Sequence, residues 1–320
     1  MSGRDAFQPY PETRGVISDR KRALSTGHTP RQNRLLAALP LEDYVRLLPN
    51  LEPVPLPLGW TVHSAGEREK YVYFLTAGIV SRIYVMENGA SARLAVTGSE
   101  GVIGVASFLG GESTSSQAVV LSAGYAYRLR AGLVKNEFEH DGPLSHLLLR
   151  YMQALLCQTG QIAVCNRYHT VEQQLCRWLL LSLDRLPGND VSMTQELIAN
   201  MLGVRREGVT EAAGKLQKAG LIHNSRGHIA ILNRPRLQAR ACECYAVVKR
   251  EYDRLFPSEN TIGNTGVHAT EGDDMCHISR SQSRSPSVAG VPVGIRTSTT
   301  GARERFAAGT AQGRLRAALA

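Results

Sequence analysis

The sequence predicts an α+β chain in three parts: an N-terminal β-roll, one long helix and a C-terminal winged helix-turn-helix. Three observations carry that prediction. Short β-type runs recur between Pro53 and Arg130 with glycines at their edges, a pattern of sandwiches and barrels. From Pro143 onward apolar residues step by three and four, the helical period. Between Thr194 and Leu232 two short helical stretches flank a Leu202-Gly203-Val204 turn, and two short β-type runs follow.

Composition narrows the class. A length of 320 residues suits two domains with tails, and 43% hydrophobic against 20% charged residues is enough to bury a core. Lys and Arg total 37 against 28 Asp and Glu, a net charge of +9, which favours polyanionic partners, nucleic acid first. No apolar run approaches the ~18 residues of a membrane span, and the first thirty residues lack a signal-peptide core. Six cysteines, none spaced C-x-x-C, are too few for a disulfide scaffold. A cytoplasmic protein without a membrane partner is expected.

Taken in order, residues 1–30 are polar and aperiodic, and the segment from Ser258 on is rich in Ser, Thr, Gly and Ala, with Phe306 its only aromatic residue. Neither can bury enough surface to offset its ordering entropy, so both are expected to be disordered tails. Arg31 to Pro49 carries two short helical pieces around Leu35, Leu36, Leu39 and then Leu41, Tyr44, Leu47. The β-type runs are Trp60 to His63, Tyr71 to Leu75, Gly78 to Met86, Ala92 to Thr97 and Ala118 to Leu129, with Glu87-Asn88-Gly89 as a hairpin turn. In the long helix Leu148, Tyr151, Leu155, Gln158, Ile162 and Cys165 form an a/d stripe over about 2.5 heptads. Roll and helix leave nothing else to cover it, so the stripe predicts a homodimer seam with Gln158 setting register. A helix from Val171 to Leu186 follows, closed by Pro187-Gly188. The expected division is tail 1–30, β-roll 31–142, dimerisation helix 143–168, winged helix domain 169–257 and tail 258–320.

The helix-turn-helix carries the sharpest chemistry. Thr194 caps the first helix, and Ala199 is small where the two helices cross. Ile198, Leu202, Val209, Ala213 and Leu216 supply the apolar face, and Ile222 to Ile231 forms a wing around Arg226-Gly227. A helix entering the major groove presents its N-terminal residues to base edges. Here those are Arg205, Arg206 and Glu207, with Thr210 and Glu211 one turn on. Arg pairs with guanine O6 and N7, and Glu accepts from cytosine N4. Arg205 with the helix amides suits phosphate, and Lys215, Lys218 and Arg226 would flank the DNA backbone. Double-stranded DNA is the expected partner.

At these residues the chain resembles the Crp–Fnr family of bacterial transcription regulators. The order roll, long helix, winged helix is similar over about residues 31–256, and the stretch Thr194 to Thr210 is similar to the family's helix-turn-helix motif. The resemblance implies a cyclic-nucleotide-binding-like roll, a homodimer on pseudo-palindromic DNA, and RNA polymerase as a further partner. It also implies a change at the roll and long helix that reorients the two winged helices. Arg206 and Glu207 fall where family members place their base-reading Arg and Glu. Glu211 stands where the catabolite activator has Arg, which alters the half-site expected. The run Ala241-Cys242-Glu243-Cys244-Tyr245 also resembles one branch of the family.

Family members that bind cyclic nucleotides hold the ribose with a Glu after Gly and the phosphate with an Arg before Ser or Thr. The matching stretch here starts at Gly104-Val105 and passes through Ser115-Ser116. Val105 stands for the Glu, and Ser115 or Ser116 for the Arg. A buried phosphate would lack its cation, so cyclic AMP and cyclic GMP are not expected to act. The pocket is left empty, open to another small-molecule effector, or purely structural.

No metal or cofactor is expected. Cys157, Cys165 and Cys176 read as core residues, and Cys242-Glu243-Cys244 as poor metal spacing, since alternate side chains diverge on a helix. His63, His140, His146 and His169 are nominal haem ligands without a supporting pattern. No Ser/His/Asp, Cys/His or paired-carboxylate arrangement supports an enzyme. The rival reading is a signalling or scaffold module that does not bind DNA, with a degenerate nucleotide-binding roll.

Overall fold

The computed structural model describes residues 27–87, 91–225 and 227–256. The tails (save residues 27–30), the Asn88-Gly89 turn and Arg226 lie outside the described residues.

The N-terminal helices α1 (Arg34–Ala37) and α2 (Leu41–Leu47) lead into the roll. Asn33 caps α1 by accepting from the Leu35 and Leu36 amides, and its Nδ2 donates to Leu75 O and Gly101 O, each at 2.9 Å. One buried side chain thus satisfies a helix start and pins it to the roll.

The roll contains β1 (Glu52–Leu56), β2 (Thr61–His63), β3 (Tyr71–Val85), β4 (Ser91–Thr97), β5 (Val102–Ile103), the short α3 (Ala106–Leu109) and β6 (Gln117–Arg130). The main antiparallel path is β1-β6-β3-β4, with β2 on β6 and β5 on β3. Sequence reading misses β1 because Pro53 and Pro55 argue against a strand, yet β1 lies at the edge of this path, where proline is tolerated. The two runs predicted at Tyr71–Leu75 and Gly78–Met86 are one strand. Gly78 (φ +85) sits at shifts of register, where a Cβ would meet Ser122 O at 2.6 Å. That glycine marks a bulge rather than a strand end. Alternate residues of β3 serve two cores: Val72 and Phe74 face the helices, while Tyr73 and Leu75 pack with Val54, Leu56 and Val120. Helix α4 (Ala131–Glu139), not anticipated, follows β6 and lays Phe138 against Phe108.

The long helix α5 spans Pro143–Tyr168. Here the structure corrects the predicted seam. Leu148, Tyr151, Leu155, Gln158 and Ile162 are all buried within one chain. The Tyr151 hydroxyl lies 3.0 Å from both Thr97 Oγ1 and Val102 O, and Gln158 Oε1 accepts from Val96 N at 2.8 Å. The roll and the final helix cover this stripe, so it is an internal face and Gln158 caps a strand amide.

Helix α6 (Val171–Leu183) starts at a Thr170/Gln173 capping box and ends before the predicted Leu186. Then come β7 (Asp190–Ser192), α7 (Gln195–Leu202), α8 (Arg206–Lys218), β8 (Ile222–Ser225), β9 (His228–Ile231), α9 (Arg234–Arg240) and α10 (Cys244–Leu255). The wing sheet has three strands in the order β7-β9-β8. Helix α7 packs on β4 of the roll, and Ser81 Oγ lies 3.6 Å from Met201 Sδ. No described helix is long and apolar enough to cross a membrane.

Candidate functional site

The helix-turn-helix is built locally. Thr194 Oγ1 accepts from Leu197 N at 3.2 Å and starts α7. Gly203 ends it in the left-handed conformation (φ +66), and Val204 N returns to Ala199 O. A Cβ-bearing residue would strain that turn. Val209, Ala212, Ala213 and Leu216 bury one face of α8, and Ala199 is buried where the helices cross. The other face shows Arg205, Arg206, Glu207, Thr210, Glu211 and Lys215 to solvent. Arg205 is the N-cap residue, and its own side chain makes no capping hydrogen bond. Two of the predicted reading residues have internal work. Thr210 Oγ1 donates to Gln195 Oε1 at 2.7 Å, tying the two helices, and Glu211 pairs with Lys215 at 2.8 Å.

The ligand cassette is arranged differently. Gly104 has φ +102, and a Cβ there would stand 2.4 Å from Tyr71 O. Val105 is buried as the N-cap of α3. Ser115 faces Tyr84, with 2.7 Å between the two oxygens, and Ser116 lies 3.2 Å from Thr114 Oγ1. The Ala106 amide donates to Glu69 Oε2 at 2.7 Å. The other Glu69 oxygen stands 3.3 Å from His63 Nε2. Burial pushes the Glu69 carboxyl up, opposed by the Ala106 amide and the Arg82 charge. His63 is pushed down to about 4, by burial first and Arg82 second. The Ala106 amide at the start of α3 is therefore bound to a carboxylate of the same chain. Sequence reasoning missed Glu69, which lies 37 residues from its partner.

The profile of the cyclic nucleotide-binding domain matches residues 53–141, and that of the Crp-like helix-turn-helix domain matches residues 173–240. The chain thus carries a cyclic nucleotide-binding domain followed by a Crp-like helix-turn-helix domain, the arrangement of Crp–Fnr regulators. Its solved likenesses include a crp/fnr-family transcriptional regulator from Eubacterium rectale (TM-score 0.53, 18% identity, covering 64% of this chain and 96% of that one). FixK2 from Bradyrhizobium japonicum gives 0.52 and 17%, over 60% and 98%. The c-di-GMP responsive regulator CLP from Xanthomonas campestris gives 0.50 and 18%, over 60% and 99%. At these identities the likeness is one of fold. No curated protein matches. Crp–Fnr proteins are transcription regulators rather than enzymes as a class, and the fold here is theirs in order and content.

Within that Crp–Fnr frame the outward face of α5 differs from the predicted seam. Leu149 (49% exposed), Leu156 (68%) and Val164 (45%) point to solvent. Ala163 continues the seven-residue spacing of Leu149 and Leu156, and Gly160 is exposed beside it. Of the nominal haem ligands, His140 and His146 are exposed and His63 is buried in the roll. Cys165, Cys242, Cys244 and His169 converge, and Cys157 and Cys176 are not among that group. The divergence expected of Cys242 and Cys244 does not arise, because Cys242 precedes α10 and only Cys244 belongs to it.

Proposed function

We propose that the protein is a sequence-specific DNA-binding regulator, acting as a homodimer on a pseudo-palindromic site and not controlled by cyclic AMP. The observation that carries this reading is the exposed N-terminal turn of α8, with Arg205, Arg206 and Glu207 on a rigid two-helix frame. In the major groove Arg206 takes guanine O6 and N7, and Glu207 takes cytosine N4. Arg205 and the N-terminal amides of α8 hold a phosphate, with Lys215 and Arg226 on neighbouring phosphates and Thr194 and Thr210 keeping the helices in register. Glu211, already paired with Lys215, tunes the half-site rather than reading guanine.

The second copy docks on the outward face of α5. Leu149, Leu156 and Ala163 give the heptad spacing, and Gly160 lets two backbones approach. Two reading helices on a twofold axis then sit about 34 Å apart, one DNA turn. Independence from cyclic nucleotides is supported by Glu69 on the cassette amides and by Val105, Ser115 and Ser116 in place of charged groups. The sensor roll (31–142), dimer helix (143–168) and reading domain (169–257) belong to this same reading, as do RNA polymerase as partner and the cytoplasm as location.

The test is selection of bound fragments from genomic DNA, followed by sedimentation of the full chain. Fragments sharing a twofold-symmetric motif are expected, and a set without one overturns the reading. Leu156→Asp is expected to give folded monomers that lose the symmetric site; a variant that stays dimeric removes the proposed interface.

A further inference from the structure

Four side chains that the DNA-reading function does not use meet where the long helix joins the winged domain. Cys165 lies in the last turn of α5, and His169 is its C-cap residue. Cys242 sits between α9 and α10, and Cys244 opens α10. Their sulphur and ring-nitrogen atoms all lie within 4.8 Å of one another. Cys165 Sγ is 3.5 Å from Cys242 Sγ, and Cys244 Sγ is 3.6 Å from His169 Nδ1. A tetrahedral site with ~2.3 Å metal–sulphur and ~2.05 Å metal–nitrogen bonds has edges of ~3.8 Å between sulphurs and ~3.6 Å from sulphur to nitrogen.

Two independent features point to an ion. The far nitrogen of the ring, His169 Nε2, stands 3.3 Å from Glu243 Oε2. Metal-bound imidazoles are held this way, one nitrogen on the ion and the other on a carboxylate. Arg177 of α6 is fully buried, and its three guanidinium nitrogens have no hydrogen-bond partner among the described residues. Its charge acts on the Cys165, Cys242 and Cys244 thiols. A buried cation without a counter-charge is costly. Three thiolates and a neutral imidazole around a divalent ion carry one net negative charge, which supplies what Arg177 lacks.

We propose that Cys165, His169, Cys242 and Cys244 bind a zinc ion. Three sulphurs and one nitrogen suit zinc, and four protein ligands leave no open position, so the site is structural. It joins residues 77 apart in sequence, fastening the end of the long helix to the segment behind the wing. Protons balance as follows. Zinc takes the three sulphurs as thiolates and the ring as neutral imidazole, so the thiol protons pass to solvent as it binds.

The test uses the full-length chain kept reduced. Metal content is measured after dialysis, and the chelator-treated chain is titrated with cobalt(II). One zinc per chain is expected, with the intense thiolate charge-transfer and tetrahedral d–d absorption of cobalt bound to sulphur. Cys242→Ser is expected to lose the metal and Cys157→Ser to keep it. Chelation should lower the thermal midpoint, and added zinc should restore it. Should Cys242→Ser fail to fold, the cobalt spectrum of the unaltered chain decides alone. No stoichiometric metal after incubation with zinc, an octahedral cobalt spectrum, or equal loss of metal in Cys157→Ser overturns the proposal.

Discussion

Two helix starts in this protein differ in what meets their backbone amides. At α3 in the roll, the Ala106 amide is already bound to Glu69, a carboxylate from the chain itself. At α8 in the winged domain, the Arg205 side chain at the N-cap makes no capping bond, and Arg205, Arg206 and Glu207 stand in solvent. Both draw on the same unsatisfied amides. The difference is whether the chain supplies the acceptor. One start is satisfied within the chain; the other, on the proposed reading, takes a DNA phosphate.

Removing the partner's side of this contrast should have the largest effect. Arg206→Ala is expected to cost about 1–3 kcal/mol per half-site and to relax preference at one base pair. Fluorescence anisotropy on a selected site checks it, and unchanged affinity and preference would break the open half of the comparison. Acid should strike the closed half. The unfolded His63 imidazole takes a proton near ~6.5, whereas the folded one stays neutral down to about 4. The unfolded state thus binds more protons between those values, so stability present above pH ~6.5 is lost as pH falls, by up to ~3 kcal/mol. Urea melts between neutral and acid pH, compared with His63→Gln, measure that term; parallel curves for the two proteins would refute it.

A smaller effect sharpens the closure itself. Glu69→Ser empties the α3 amides while Arg82 stays nearby as a cation. Millimolar inorganic phosphate should then stabilise the variant by about 1 kcal/mol, whereas the unaltered chain shows neither this response nor a micromolar calorimetric titration with cyclic AMP. A response in the unaltered chain would mean that the site is open. The smallest effect belongs to Glu211→Ala, whose pair with Lys215 is fully solvated. No resolvable change in thermal midpoint is expected, while the preferred half-site shifts.

Much of the fold was legible because its signals are local. The cap at Thr194, the left-handed Gly203 and the basic turn after it lie between residues 194 and 207, and the winged unit forms around them. The span of α5 was equally plain, but not which of its faces turns inward. The helix is apolar on two sides, and periodicity reports a stripe, not what covers it. The covering groups, such as the Val96 amide on Gln158, come from the distant roll. Glu69 and the cysteine cluster were hidden for the same reason, since their partners lie 37 and 77 residues away. Gly78 shows the converse fault: a local signal for a strand end that the structure uses as a bulge.

The seat of α7 on β4 reaches beyond geometry. The apolar cluster runs without a break from Leu35 and Phe74 in the roll, through Trp178, to Val209 and Leu216 in the winged unit. Arg185 and Glu100 add a buried ion pair, 2.7 Å apart, between the turn after α6 and the roll. Neither half can open without exposing the other's apolar surface. Heating should therefore melt residues 27–256 as one cooperative unit, with calorimetric and van't Hoff enthalpies agreeing, and the slowest amide hydrogens of β3 and α8 should exchange through the same global opening.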